Sequence, residues 1–331
     1  MASPRPAGGV ALPRRAMLAA GPAIALASAR TPVAAAPAGP PPLSAAAPAG
    51  PPPLSAPDWD YSALHGPSHW SDRFPTCGDG HFQAPINLDP PFTPFAPPKG
   101  ELVRPAYSAC PLVARDSGTT ARWEVGAVDG TTVRALSSKE AAAIAPAGGV
   151  RVGDTVWPLA QLHFHAPGEE AVGGARAPLG LHLVHARPAA GLGTDASAAA
   201  CVLGGSLEPP SNIVVTILFD APPGGPDNPA VATLFSCLPA IREQKRGVVL
   251  PSFNAADLLP PSGRIDLPYG GAWAYSGGLT TPPCSEGVLF VVARARQAVS
   301  PAQAAALGGV GGFPPNARPL QPRHDRPVII I

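Results

Sequence analysis

The stretch Gln161–His165, with the sequence Gln-Leu-His-Phe-His, decides how the fold of this chain is interpreted. Residues two apart on a β-strand point to the same face, so His163 and His165 would share a face while the phenylalanine between them points away. The run Leu181–His185, Leu-His-Leu-Val-His, has the same β-rich character and brings a third histidine, His182. Three neutral imidazoles from adjacent strands make an open tetrahedral zinc site with a fourth position for water. We therefore predict a zinc lyase or hydrolase in which His163, His165 and His182 bind Zn²⁺.

Each of these histidines also has a structural interpretation. A single histidine such as His163 is more often a core or surface residue than a ligand, and the pair on one strand face is what favours a metal site. His185 lies three positions after His182 and therefore on the opposite face of the same strand. We interpret His185 as a structural histidine.

The composition restricts the class of protein and its partners. The chain has 331 residues, a formal net charge of +1 and 14% charged residues. It shows no basic patch or RNA-type aromatic motif, so we expect no nucleic-acid partner. With 48 Pro, 36 Gly and only 6% aromatic residues, it suits short strands joined by turns rather than a helical bundle. Five cysteines are too few for a disulfide scaffold, and the odd number leaves at least one unpaired.

The N-terminal region is predicted to precede the folded domain. In residues 1–29, paired arginines precede an apolar run that ends in the small-x-small pattern Ala27–Ala29, which is typical of a signal or targeting segment. The run is too short to cross a bilayer, so we expect no transmembrane anchor. Residues 30–57 carry a direct repeat (Pro37–Ala45, then Pro48–Ala56) and are predicted to be an extended Pro/Ala-rich linker. A disordered Ala-rich tail and a ligand for a proline-recognition domain are the alternatives.

The folded domain is predicted to begin at Asp58, where aromatic residues first appear close together. No second linker follows, so residues 58–331 should form one mainly β domain. The predicted strands include Trp123–Val128, Thr155–His165, Leu179–Ala186, Ile213–Phe219 and Val288–Ala293, and the predicted helices are Ser137–Ile144, Ala230–Gln244 (interrupted by Pro239) and Pro301–Leu307.

Several motifs, in the same order as in the family, make this chain resemble the α-class carbonic anhydrases over roughly residues 58–326. The motifs are Trp59-x-Tyr61, Gly66-Pro67-x-His69-Trp70, Cys77-Gly78-x-Gly80-x-x-Gln83-x-Pro85-Ile86, Gln161–His165, His182–His185, Leu279–Gly287 and Arg318–Pro322.

The resemblance implies a fold class and a reaction. The fold class is mainly β (α+β), with a single domain around a twisted, largely antiparallel central sheet and a few short peripheral helices. The reaction is the reversible hydration of carbon dioxide to bicarbonate and a proton by a zinc hydroxide. Zinc held by three histidines lowers the pKa of its bound water to about 7, and carbonic anhydrase is itself the reference case for that value.

The resemblance also assigns two catalytic residues, Thr280 and Glu169. The Thr280 hydroxyl would accept the hydrogen bond of the zinc hydroxide and donate to the Glu169 carboxylate. Thr281 would line the bicarbonate position, and Gln161 is placed in the same substrate-binding set.

Carbon dioxide is apolar and needs an apolar wall in the pocket. Val184 and Leu279 are the candidates for this wall, and Val214 or Val215 should add to it in a register that the sequence leaves open. Ordinary core packing is the alternative interpretation of these residues.

Cys77 and Cys284 match the disulfide pair of exported family members. Such a bond implies an oxidising compartment, in agreement with the signal-like segment. We expect an exported monomer, secreted or periplasmic, with the thylakoid lumen of a plastid as the alternative. Cys110, Cys201 and Cys237 match no motif and are interpreted as buried free thiols.

Four positions depart from the family pattern. Gly180 stands where a glutamate usually accepts the second ring N–H of the third zinc ligand, a loss that typically costs ~10–100-fold in metal affinity or activity unless a backbone carbonyl or water replaces it. Glu170 replaces a common histidine, and Phe290 replaces an apolar tryptophan. Thr119 occupies the proton-shuttle position and cannot carry a proton near pH 7. Proton release would then depend on water chains, buffer or another rim histidine such as His65, and we expect a slower, buffer-dependent enzyme.

Two other functions compete with carbon dioxide hydration. A catalytically silent binding or structural protein could keep the fold, although such proteins typically lose a zinc histidine and this chain keeps all three. A zinc hydrolase acting on esters would share the same site.

Overall fold

The computed structural model describes residues 58–94, 103–130, 132–192, 209–244, 247–260, 271–308 and 312–331. The predicted signal segment 1–29, the predicted linker 30–57 and Cys201 lie outside the described residues. Within the described ranges, no helix has both the length and the apolar character needed to cross a membrane.

Strands dominate the described residues. In chain order they are β1 (Asn87–Leu88), β2 (Thr93–Pro94), β3 (Val103–Tyr107), β4 (Cys110–Asp116), β5 (Ala121–Asp129), β6 (Thr132–Ala135), β7 (Gly148–Val152), β8 (Thr155–His165), β9 (Ala171–Val172), β10 (Ala175–Arg176), β11 (Leu179–Ala186), β12 (Asn212–Asp220), β13 (Val248–Phe253), β14 (Ala272–Gly278), β15 (Glu286–Ala293), β16 (Gln297–Ala298) and β17 (Ile329–Ile330). The α-helices are Thr76–Asp79, Ser138–Ile144, Pro229–Phe235, Leu238–Gln244 and Pro301–Ala306, with 3-10 turns at Trp70–Asp72 and Ala255–Leu258. The predicted single, mainly β domain with few short helices is confirmed.

One large mixed sheet organises the domain. Its main path runs β13-β4-β5-β8-β11-β12-β15-β14-β17-β2, and β1, β9 and β10 form a separate small sheet. Most neighbouring strands of the large sheet are antiparallel, while β12 and β15 are parallel. The antiparallel pair β8–β11 lies near the middle of the path, so both strands have hydrogen-bonded neighbours on either side.

The two faces of β8 and β11 have different roles. Phe164 and Leu181 are opposite each other in the ladder and belong to the main hydrophobic core. Helices cover this face, and the ring of Phe235 packs edge-to-face on Phe164 with centroids 5.0 Å apart. Burying a large apolar side chain in this way contributes roughly 1.5–3 kcal/mol. The opposite face is therefore left for the histidines.

The predicted helix Ala230–Gln244 is divided into two helices. The first begins after Asn228, whose side-chain oxygen caps the amides of Ala230 and Val231. The second begins at Leu238, so that Pro239 occupies its first turn, where a missing N–H costs no helical hydrogen bond. Cys110 and Cys237 are buried free thiols, as expected.

Candidate metal centre and active site

Strand register brings the three predicted zinc histidines together. His182 on β11 lies directly opposite His163 on β8, and the next position on that face of β8 is His165, opposite Gly180. One ring nitrogen from each histidine lies within 4.8 Å of the others, which makes the group a possible metal site. His185 lies outside this group and contacts the Tyr107 hydroxyl through Nε2, at 2.9 Å.

Two of the three imidazoles are oriented by hydrogen bonds to their far nitrogens. Nδ1 of His163 is 2.9 Å from Oε1 of Gln161, and Nδ1 of His165 is 2.8 Å from the backbone oxygen of Asn316. Since both acceptors require a protonated Nδ1, the Nε2 lone pairs are free to bind a metal. Nε2 of His165 is buried and has no hydrogen-bond partner among the described residues, as expected for an atom that coordinates a metal.

Electrostatics keep these two rings neutral. Burial lowers the pKa of His163 well below its usual value, and the neighbouring His165, His182 and Arg122 lower it further. Burial and His182 likewise lower the pKa of His165. Neutral imidazole is the form that binds a metal, so His163 and His165 are in the binding form. At His182, burial opposes the charged form, but the Glu170 and Glu169 carboxylates raise the pKa overall.

Glu169 lies beneath the histidine group, fully buried. Its Oε2 is 3.5 Å from Nε2 of His165 and 3.9 Å from Nδ1 of His182, and its Oε1 accepts the backbone N–H of Arg318 at 2.9 Å. Burial raises the pKa of Glu169 to about 7, against the opposing effects of His182, the Arg318 amide and a hydrogen bond from Thr280. The catalytic roles of Thr280 and Glu169 stay a prediction.

The loop between β14 and β15 carries Thr280 and is held in place at several points. Thr280 is buried, and the adjacent Leu279 donates its N–H to the backbone oxygen of Ser285. Cys284 forms the predicted disulfide with Cys77, with the Cα atoms 5.0 Å apart. Nε2 of Gln83 donates to the backbone oxygen of Cys284 at 3.0 Å. These contacts hold the loop against the N-terminal part of the domain.

An apolar cluster lies on the histidine side of the sheet. Val184 and Leu279 pack against it, and Val214 is one of its buried members, directly opposite Val184 in the ladder. Val215 faces the main core instead, so the register that the sequence left open places Val214 with the predicted wall. Phe290 also belongs to this cluster, and its ring centroid is 6.0 Å from that of His182.

The turn between β4 and β5 is exposed at Ser117 and Gly118 and buried at Thr119 and Thr120. Thr119 lies in the turn between β4 and β5 and is 9% exposed. In the following strand, Arg122 lies opposite His163 and forms an ion pair with Glu124 at 2.8 Å. His65 is exposed.

Two residues that contact the site, Asn316 and Arg318, were not assigned these contacts from local sequence patterns. Asn316 orients His165 through its backbone oxygen, and its side chain also bonds the backbone of Phe164 and Ala166. Arg318 lies in a motif noted above, yet its amide contact with Glu169 is visible only in the fold. The nearest sequence signal is a polar Asn-x-Arg run directly before the Pro-Leu-Gln motif.

Comparisons with known proteins agree with this geometry. The profile of the family described as eukaryotic-type carbonic anhydrase matches residues 65–330. A carbonic anhydrase from Klebsiella pneumoniae is 30% identical over 278 residues, which cover 83% of this chain and 91% of that protein.

Solved structures show the same fold. The alpha-carbonic anhydrase of Photobacterium profundum is 29% identical, with a TM-score of 0.59 over 82% of this chain and 99% of the other. The alpha-carbonic anhydrase of Thermovibrio ammonificans, solved in complex with the inhibitor sulfanilamide, is 26% identical, with a TM-score of 0.60 over 82% and 98% of the two chains. Since the family profile covers most of the chain and the strands place three histidines at one point, the chain belongs to the eukaryotic-type, or α-class, carbonic anhydrase family, whose named members are carbonate dehydratases.

Proposed function

We propose that this protein is a zinc-dependent carbonic anhydrase that interconverts carbon dioxide and bicarbonate. The observation that carries the proposal is the convergence of His163, His165 and His182 beside the Glu169 carboxyl group. Two of the rings are neutral and oriented, so the ligand set needs no rearrangement of the strands. The completeness of this set argues against a catalytically silent member of the family.

Zinc bound by the three imidazoles would supply a coordinated water with a pKa of about 7, for which carbonic anhydrase is the reference case. The residues of this chain orient the reactants around it. The Glu169 carboxylate accepts a hydrogen bond from the Thr280 hydroxyl, so the lone pairs of the Thr280 oxygen are available as acceptors in one fixed direction. This acceptor selects the orientation of the attacking oxygen, and positioning of this kind can account for a rate factor of about 10²-fold.

The substrate is held by apolar contact rather than by charge. Val184 and Leu279 lie against the cluster that contains Val214, and this wall suits carbon dioxide, which carries no net charge or dipole. Thr281 would line the bicarbonate position. Gln161 was expected in the substrate-binding set. Its side-chain oxygen instead accepts a hydrogen bond from His163 and orients that ring.

Proton release is proposed to be weakened. Thr119 takes the place of a shuttle histidine, and a threonine hydroxyl does not titrate near neutral pH. Buffer molecules or water chains would then carry the proton away, with His65 as the side-chain candidate on the surface.

Metal content and hydration rate together test the proposed function. Wild-type protein should hold one zinc ion per chain and hydrate carbon dioxide, with inhibition by sulfanilamide. His182→Ala should lose both zinc and activity, because two imidazoles and one empty position do not retain the metal. His69→Ala, a change at an exposed histidine, serves as the control. One zinc per chain without turnover would support the silent alternative, and absence of zinc from the wild type would reject the proposal.

We also propose that the protein is exported and acts as a monomer. The Cys77–Cys284 disulfide is compatible with an oxidising compartment. Residues 1–29 are the proposed signal segment, and N-terminal sequencing of the mature protein would show whether cleavage follows Ala29.

A further inference from the structure

We infer that Glu170 is the positioning residue for His182, and that its carboxylate replaces, from the neighbouring turn, the acceptor that Gly180 cannot supply from the strand. The inference rests on the zinc site of the proposed function. It also differs from our expectation that a backbone carbonyl or a water would fill this role.

The buried side chains of Glu170 and His182 face each other. Oε2 of Glu170 is 3.6 Å from Nε2 of His182, and both side chains are at most 3% exposed. Neither atom has a hydrogen-bond partner among the described residues. Two complementary buried polar atoms cost free energy if both remain unpaired, and a shift of about 0.5 Å would give a normal N–H to oxygen distance. In this pairing the proton of His182 lies on Nε2, so Nδ1 is unprotonated and able to bind metal.

Gly180 allows the turn that carries Glu170 to approach β11. A Cβ atom on Gly180 would lie 2.8 Å from the Cα of Gly168, which is backbone and cannot move aside as a side chain can. Gly168 is less tightly packed, since a Cβ there would lie 3.2 Å from Cδ2 of Leu218 and 3.3 Å from the Gly180 nitrogen. The two glycines therefore pack backbone against backbone. Gly180 thus has two effects. It leaves β11 without the usual carboxylate, and it makes space for the turn that brings the Glu170 carboxylate to His182.

The other oxygen of Glu170 is held by two hydroxyl groups. Tyr275 donates to Oε1 at 3.2 Å, and Thr216, which lies opposite His182 in the ladder, donates to it at 3.4 Å. These contacts fix the carboxylate plane and leave Oε2 for His182.

We expect Glu170 to control the ring orientation and tautomer of His182 and to leave His163 and His165 unaffected. With the Glu170 carboxyl group in place, His182 is held in one ring orientation and one tautomer, while His163 and His165 are held by Gln161 and Asn316. Without it, His182 can rotate and can carry its proton on Nδ1, which blocks metal binding. Removal of such an orienting partner typically weakens metal binding ~10–100-fold.

Glu170→Gln tests the inference, because it keeps the volume and removes the charge. Zinc release from the purified holoprotein to a chromogenic chelator should be about 10–100-fold faster than in wild type. In metal-free protein, a slowly exchanging imidazole N–H proton of His182 should be visible by NMR in wild type and lost in the variant. A merely structural role for Glu170 would change neither the tautomer of His182 nor the spectrum of that proton.

Two further variants make the test decisive. Glu286→Gln is the control, since this carboxylate accepts hydrogen bonds from Phe82 and Gln83 and should leave zinc release unchanged. Glu170→Asp draws the carboxylate back by about one bond, about 1.5 Å, and should give an intermediate release rate even if Glu170→Gln fails to fold. The inference is overturned if every Glu170 variant that folds releases zinc at a rate within twofold of the wild-type rate. It is also overturned if the His182 N–H signal persists in those variants. Failure of the wild type to bind zinc would reject the proposed function instead, while the metal-free NMR comparison still decides the role of Glu170.

Discussion

At the scale of single residues, hydrogen bonds decide what each histidine can do. His163 and His165 donate from Nδ1 and keep Nε2 for a metal, whereas His185 uses both ring nitrogens on protein groups, the Tyr107 hydroxyl and the Ile213 carbonyl oxygen. Four histidines on two strands therefore divide into three candidate metal ligands and one residue, His185, that is bonded to protein groups only.

Thr280→Val should separate catalysis from metal binding. Valine is similar in shape but cannot donate to Glu169 or accept from the attacking oxygen, so kcat/KM for carbon dioxide hydration should fall about 10²-fold with zinc content unchanged. Thr233→Val, an exposed threonine on a helix, is the matched control. Full activity in Thr280→Val would remove Thr280 from the mechanism.

His185→Gln should change how stability depends on pH. Burial lowers the pKa of His185 to about 4, against a usual value of 6.5. The folded state keeps this ring neutral, so the stability that depends on it is complete above pH 6.5 and is lost progressively as the pH falls towards 4, by about 3 kcal/mol. Urea unfolding of the metal-free proteins between pH 7 and 4 should show a shallower acid loss in the variant, which retains an amide for the two hydrogen bonds. Parallel curves for variant and wild type would contradict this assignment.

At the scale of elements, the alternation of β8 and β11 was enough to predict the group of three histidines that could hold a metal. Side-chain direction repeats every two residues, so His163 and His165 must share a face, and His182 joins them once the strands pair. The same local rule could not choose between Val214 and Val215, because that choice depends on the pairing of β11 with β12. It also could not connect Glu170 with His182, because their contact crosses from a turn to a strand.

Gly180→Ala should destabilise the fold through the contact between β11 and the turn. The added methyl group would overlap the backbone of Gly168, and overpacking of this kind typically costs about 1–3 kcal/mol. Chemical denaturation would measure this loss. Gly308→Ala is the control, since among the described residues the nearest atom to a Cβ there is 3.8 Å away, and it should stay within about 0.5 kcal/mol of wild type. Equal stability of the two variants would show that the turn can move away from β11.

At the scale of the whole molecule, the order of the motifs predicted the family and the mainly β class, and both are confirmed. What the sequence could not supply is the set of long-range polar contacts around the site. Asn316 bonds His165 from 151 residues away along the chain, and Arg318 bonds Glu169 from 149 residues away. Such partners leave no periodic pattern, because one residue meets one distant atom only after the sheet has formed.

The whole enzyme should depend on its buffer. With Thr119 at the shuttle position, the hydration rate at saturating carbon dioxide should rise as imidazole-type buffer is added at constant pH and ionic strength. Thr119→His should raise the rate at low buffer concentration and reduce this dependence. A wild-type rate that does not respond to buffer would show that another route carries the proton.

The disulfide has a consequence for biogenesis. Cys284 follows Cys77 by 207 residues, and strands β1 to β14 lie between the two cysteines. In a chain that is exported as proposed, an oxidant acting during translocation meets Cys77 long before its partner emerges. Premature pairing with another thiol would then be the main hazard, and correct closure must wait until nearly all of the sheet is available to fold. Maturation of the Thr280 loop is therefore expected to come late, which would delay activity until the chain has left the cytoplasm.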